Sequence, residues 1–115
     1  MKKFACTAGF AAALAVIGCS GEEQAQQKPL TPQQIHGESL YKRTCSVCHH
    51  PDSTQPLNGP GMKGIFSNKF LPSGAPANDE RVTEVIVQGR RNMPGYGQIM
   101  EDQQIKDIVA YLHTL

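Results

Sequence analysis

The sequence has 115 residues, 39% of them hydrophobic and 18% charged, with no tryptophan, 8 prolines and 11 glycines. That length allows one domain at most, and so small a core supplies little net stability of its own, so a staple is expected: a disulfide, a metal or a bound cofactor. The formal net charge of +1 carries no electrostatic footprint for nucleic acid.

The first predicted element lies outside the fold. Lys2 and Lys3 precede an almost wholly apolar run from Phe4 to Ile17, shorter than the roughly 20 apolar residues that span a bilayer. It reads as an export signal. The run ends in Val16-Ile17-Gly18-Cys19 with polar Ser20-Gly21-Glu22-Glu23 behind it. That pattern resembles the lipobox of bacterial lipoproteins, in which the cysteine is lipidated and becomes the first mature residue. Residues 1–18 are thus expected to be a lipoprotein-type signal peptide, with Cys19 as the lipidation site and membrane anchor. An ordinary signal with Cys19 incidental is the plainer alternative. Glu22 to Lys28 show no apolar periodicity, and residues 19–30 are expected to form a flexible tether. The folded domain is expected over 31–115. Loss of Lys2 and Lys3 with the signal would leave nine basic against ten acidic side chains, a net charge of −1, so partner choice would fall to local patches.

Thr31-Pro32-Gln33-Gln34 then opens a helix, with Thr31 as cap, Pro32 at the first position and Gln34 closing a capping box. Ile35, Leu40 and Tyr41 are its expected apolar side, and it runs into Cys45.

There the chain reads Thr44-Cys45-Ser46-Val47-Cys48-His49-His50. Of the four cysteines, Cys6 falls in the signal and Cys19 would carry lipid, which leaves Cys45 and Cys48. Four chemistries compete for them: a redox-active dithiol, half of a zinc site, a small disulfide, or attachment of haem. A closed zinc site needs four ligands, and after Cys45, Cys48 and His49 only His50, His36, His113 or a carboxylate remain. A thioredoxin-like dithiol would come with alternating strands and helices, and no run reads as a strand. The spacing favours haem. Two cysteines one helical turn apart can reach both vinyl groups, the next residue turns its ring to the iron, and Cys-x-x-Cys-His is the attachment signature of c-type haem.

A turn-rich loop follows from His50 to Gly61. Two marginal helical turns are expected over Met62 to Phe66. A helix capped by Asn78 or Asp79 runs through Gln88, with Val82, Val85 and Ile86 on one face and Gly89 as its stop. The last helix is expected from about Asp102 to His113, where Ile105, Ile108, Val109 and Leu112 repeat at i, i+3, i+4 and i+7. The fold class is all-α.

Cys45-x-x-Cys48-His49, Gly59-Pro60, Met93-Pro94 and a C-terminal Ile-Val-Ala-Tyr-Leu helix occur in this order. Together they make the chain resemble a monohaem class I cytochrome c of the bacterial periplasmic kind, over about Thr31 to Leu115. The resemblance implies a small cytochrome c fold, three to five helices around one covalently bound haem c. It implies thioethers at Cys45 and Cys48, His49 as the proximal ligand, Pro60 as the carbonyl accepting the proximal imidazole N–H, and Met93 as the sixth ligand. Met62 falls where the family places an apolar residue against the haem, and Met100 is a candidate hydrophobic staple of the last helix. His36, His50 and His113, the rival ligands, read as surface histidines. Gly37, Tyr41 and Tyr111 resemble the family's contact between first and last helices, where an aromatic packs on a glycine.

The implied function is that of a single-electron carrier, not an enzyme, with no small-molecule substrate. Its implied partners are redox proteins: a reductase, and an oxidase or dehydrogenase. The expected location is the periplasmic side of a bacterial membrane, anchored through Cys19. Arg90 and Arg91 beside Met93, with Lys63 and Lys69 after Gly59-Pro60, could form a basic rim that steers an acidic partner, or could be solvated charges or partners of the haem carboxylates. The alternatives are an electron-transfer subunit of a larger oxidase or dehydrogenase, and a gas-sensing or peroxidase-type haem protein if Met93 does not ligate.

Overall fold

The computed structural model describes residues 28–115. The expected signal, the lipidation site Cys19 and all but the last three residues of the tether lie outside the described residues. Three helices carry the fold: α1 (Pro32–Thr44), α2 (Asp79–Gln88) and α3 (Asp102–Leu112), with one 3-10 turn at Ile65–Ser67. Among the described residues there is no strand, only isolated bridges between Phe70 and Pro76 and between Arg90 and Met93. The expected all-α class holds.

Each helix begins where its capping chemistry places it. The Thr31 hydroxyl accepts from the Gln34 N–H at 3.2 Å, and Gln34 Oε1 accepts from the Thr31 N–H at 2.9 Å. Two of the donors that a helix start leaves unpaired are thereby satisfied. Asn78 Oδ1 accepts from the Arg81 N–H at 2.9 Å at the start of α2, whose first turn carries Asp79 and Glu80 toward the positive end of the helix dipole. At α3, Gln104 Oε1 accepts from the Glu101 N–H at 3.0 Å.

The expected helix over Met62 to Phe66 is replaced by the short 3-10 turn. Gly64 stands at its cap in the left-handed region, at φ 69°, and a residue there cannot continue a right-handed helix. The Gly64 N–H instead donates to the Leu115 carbonyl at 2.9 Å.

α1 crosses α3 at Gly37. A Cβ at that position would overlap the backbone carbonyl of Asp107, so only glycine lets the two helices approach this closely. One turn on, the Tyr41 and Tyr111 rings meet in a tilted pair, centroids 5.4 Å apart at 60°. The buried face of α1 is therefore Gly37, Leu40 and Tyr41. Ile35, expected on it, is 54% exposed, because it lies more than half a helical turn round from Gly37. On α3 the stripe Ile105, Ile108, Val109 and Leu112 is buried as its spacing indicates. Val82 and Ile86 of α2, with Ile65 and Leu71 from the loops, complete the core.

Polar ties reinforce the crossing. His36 Nδ1 lies 2.6 Å from Asp107 Oδ2, and Gln103 Nε2 donates to Asp107 Oδ1 at 2.7 Å. Burial acts to push the Asp107 carboxyl up, but hydrogen bonds from His36, Gln103 and Gln33, together with the His36 charge, hold it below the ordinary carboxylate range. At the other end of α3, His113 stacks on Phe66 with centroids 3.8 Å apart, and its Nε2 lies 2.7 Å from Asp79 Oδ1. His36 and His113 are thus surface histidines with structural partners.

Two predictions follow from the crossing. Gly37→Ala gains about 1 kcal/mol of helix propensity but forces the helices apart, and we expect a net loss of about 2 kcal/mol in denaturant unfolding of the haem-loaded protein. Asp107 has a depressed folded-state pKa, so its stabilisation is present above the unfolded carboxylate value of about 3.9 and is lost as pH falls through the folded value. Asp107→Asn should be less stable near neutrality, and its stability should fall less steeply than that of the wild type as pH drops below about 4.

Candidate cofactor site

The Cys45–His49 segment extends α1 by one turn. Cys45 caps the helix at φ −95°, ψ −33°, still in the helical region. The N–H groups of Cys45 and Ser46 donate to the Tyr41 carbonyl, and those of Cys48 and His49 donate to the Cys45 carbonyl at 3.0 Å. The following loop folds back onto this turn: the Gly59 N–H donates to the Cys48 carbonyl and the Met62 N–H to the His50 carbonyl, each at 2.8 Å.

This return brings Gly59 and Pro60 against His49. His49 Nδ1 lies 2.8 Å from the Pro60 carbonyl. A carbonyl can only accept, so Nδ1 carries a proton, and in the neutral ring that leaves the lone pair on Nε2. A Cβ on Gly59 would collide with the imidazole, closest to Cε1. The glycine is what allows the ring to lie flat against the loop backbone.

Met93 comes from the connection between α2 and α3. The Arg90 N–H donates to the Met93 carbonyl at 3.0 Å, and the Met93 N–H returns a bond to the Arg90 carbonyl at 2.9 Å. The tight turn so closed places Arg91 at φ 55°. Beyond it, Tyr96 and Gly97 donate to the carbonyls of Ile86 and Val87 at 2.8 and 3.1 Å. Those carbonyls belong to the last turn of α2, which has no partners for them within the helix. The methionine loop is hung on these otherwise unpaired acceptors.

Cys45, Cys48, His49, Pro60 and Met93 all line one cavity of about 560 Å³. Ile108 and Leu112 of α3 and Val82 and Ile86 of α2 supply apolar wall, and Met62 lines it as well. Clefts that bury a cofactor-sized molecule span about 300 to about 1,000 Å³. Arg90, Arg91 and Asn92 also line this cavity. Lys63 and Lys69 are exposed, and Lys69 lies over the Phe70 ring at 5.4 Å. Of the expected basic rim, two members therefore belong to the cavity wall and two to the outer surface.

The thiols themselves discriminate among the chemistries. Cys45 and Cys48 are free, so they do not form a structural disulfide. Burial, followed by the neighbouring Cys48, raises the Cys45 thiol to about 11, which disfavours Cys45 as an attacking thiolate. Among the described residues no three His, Cys, Asp or Glu side chains gather as a metal cluster. Two thiols, an imidazole with its proton fixed on Nδ1, a thioether and apolar walls around one cavity fit a covalently attached haem.

Tyr96 and the hydroxyl of Tyr41 contribute in ways the sequence does not signal. Tyr96 lines the cavity, and burial, then Cys45 and Cys48, raises its phenol above the ordinary value. The Tyr41 hydroxyl donates to the His49 carbonyl at 2.9 Å.

Residues 32–112 match the family model described as cytochrome c oxidase, cbb3-type, subunit III. The cytochrome bc1 complex cytochrome c subunit of Corynebacterium diphtheriae is 32% identical over 81 residues, 68% of this chain and 26% of that protein. The chain thus spans about a quarter of the length of that relative. Cytochrome c-551 of Bacillus subtilis is 25% identical over 109 residues, covering 90% of this chain and 88% of that protein. A cytochrome c6-like protein of Nostoc sp. is 26% identical over 78 residues, 68% and 67% of the two chains. With the family model covering nearly all of the three-helix domain, the chain belongs to the family described as cytochrome c oxidase, cbb3-type, subunit III: it is a cytochrome c-type domain whose cofactor is haem c.

Proposed function

We propose that this chain carries single electrons through one haem joined by thioethers to Cys45 and Cys48 and ligated by His49 and Met93. In this reading it works on the outer, periplasmic side of a bacterial membrane, tethered there by lipid on Cys19. The observation that carries the reading is the shared cavity, in which both free thiols, the Pro60-bonded imidazole of His49 and the Met93 side chain form one lining.

The haem supplies the redox-active iron. The chain's own residues set its environment. Donation from His49 Nδ1 to Pro60 raises the basicity of Nε2 and fixes the ring. The thioether of Met93 is a soft ligand that favours the ferrous state. Ile108, Leu112, Val82 and Ile86 keep water from the cavity's inner wall. Arg90, Arg91 and Asn92 are positioned to meet the haem carboxylates or an acidic partner. Met93, held in a turn closed by two backbone hydrogen bonds, favours a filled sixth position over the open one that a gas sensor or peroxidase needs.

The partners in this reading are redox proteins of a respiratory membrane. The cbb3-type subunit III family and the bc1 cytochrome c subunits support that class. They equally favour a second arrangement, in which the same domain serves as the electron-transfer part of a larger oxidase or dehydrogenase. The reach of c-551 across nearly the whole chain favours the free, tethered carrier.

The test is the haem-loaded protein, made with attachment machinery present. Its mass should show one haem added, and a colourless but well-folded chain would end the reading. Met93→Ala should lower the midpoint potential and let the reduced protein bind carbon monoxide readily. Met62→Leu and Met100→Leu should do neither, since apolar swaps of similar volume cost little. Rapid carbon monoxide binding by the wild type would move the gas-binding alternative ahead.

A further inference from the structure

The Tyr41 hydroxyl has a job that its ring does not. At the α1–α3 crossing a phenyl group would fill the same space against Tyr111. Tyr41 is 1% exposed, and a hydroxyl so far from water is retained only with a partner. That partner is the His49 carbonyl, 2.9 Å away. The carbonyl sits past the end of the helical turn begun by Cys45, where acceptors lack partners within the turn.

We propose that Tyr41 is a positioning residue for His49, its hydroxyl pinning the His49 backbone while the Pro60 carbonyl pins the ring, so that the imidazole is held at both ends. The inference rests on His49 being the haem ligand. Between Cα and ring His49 has two torsions, and the Nδ1–H···Pro60 bond at 2.8 Å restrains them only as well as the backbone beneath is restrained. The other ties on that segment run from the His49 N–H to the Cys45 carbonyl, from the Gly59 N–H to the Cys48 carbonyl and from the Met62 N–H to the His50 carbonyl, and none of them holds the His49 carbonyl. Tyr41 supplies the tie at the His49 carbonyl itself. Because Tyr41 packs on Tyr111 beside the Gly37 crossing, the register of α1 on α3 is passed to the axial imidazole through one hydroxyl.

Without that hydroxyl the imidazole should donate less steadily to Pro60. A less basic ring stabilises ferric iron less. Tyr41→Phe should therefore shift the one-electron equilibrium toward ferrous by about three- to tenfold, tenfold being about 59 mV.

The experiment is proton NMR and potentiometry of the reduced, haem-loaded full chain. In the wild type the His49 ring protons should be shifted far upfield by the haem ring current. If they are not, His49 is not the ligand, and this proposal and the ligation reading fall together. With that shift present, the wild-type Tyr41 hydroxyl proton should appear as a slowly exchanging signal, and a hydroxyl in fast exchange with water overturns the proposal without any variant. In Tyr41→Phe the His49 Nδ1 proton should exchange at least about tenfold faster and the potential should rise. Tyr111→Phe, which removes a hydroxyl from the same ring pair but not from His49, should change neither. Wild-type exchange and potential in Tyr41→Phe, or equal changes in both variants, would overturn the positioning role while leaving His49 ligation standing.

Discussion

The approach of α1 to α3 at Gly37 is the constraint from which the rest of this molecule follows. Backbone meets backbone there, because a Cβ would overlap the Asp107 carbonyl. Helices that close bring the Tyr41 and Tyr111 rings into contact and set His36 against the buried Asp107 carboxylate. The end of α1 is thereby fixed in space, and the next turn carries Cys45, Cys48 and His49. A chain of this size has little core to spend on a separate scaffold. The helix crossing that holds the domain together also aims the segment proposed to bind the cofactor.

Around that fixed segment, loops do the remaining work through backbone hydrogen bonds. The loop after His50 returns to the Cys48 and His50 carbonyls, and in doing so lays Gly59 and Pro60 on the imidazole. The loop after Gly89 uses the last carbonyls of α2 as its hooks and presents Met93 in a closed turn. Irregular segments are thus held at acceptors that helix ends leave unpaired. A cavity of about 560 Å³ runs between them, backed by the apolar faces of α2 and α3.

The comparisons set this unit in two contexts. It spans nearly the whole of a small c-551 and about a quarter of a bc1 cytochrome c subunit. Among the described residues its core, its caps and its cavity lining are drawn from residues 31–115.

Much of this was legible in the sequence, and the legible parts share a physical scale. The Thr31 cap, the Asn78 cap, the Ile105–Leu112 stripe and the Cys-x-x-Cys-His segment are patterns within a few residues, set by helix geometry and bond reach. They determined the helices, the fold class and the chemistry of the cofactor. Tertiary structure decided the rest. The helix expected over Met62 to Phe66 gave way to Gly64 in the left-handed region. Ile35 lost its place on the buried face because the crossing point, not hydrophobicity, chose the face. The His36–Asp107 pair joins residues 71 positions apart, and the His113–Phe66 stack joins the last helix to a loop. The Tyr41 hydroxyl finds the His49 carbonyl only because a turn of chain folds back beneath it. Such contacts depend on distances between elements that no local pattern encodes, whereas a cap or a haem motif carries its own geometry along the chain.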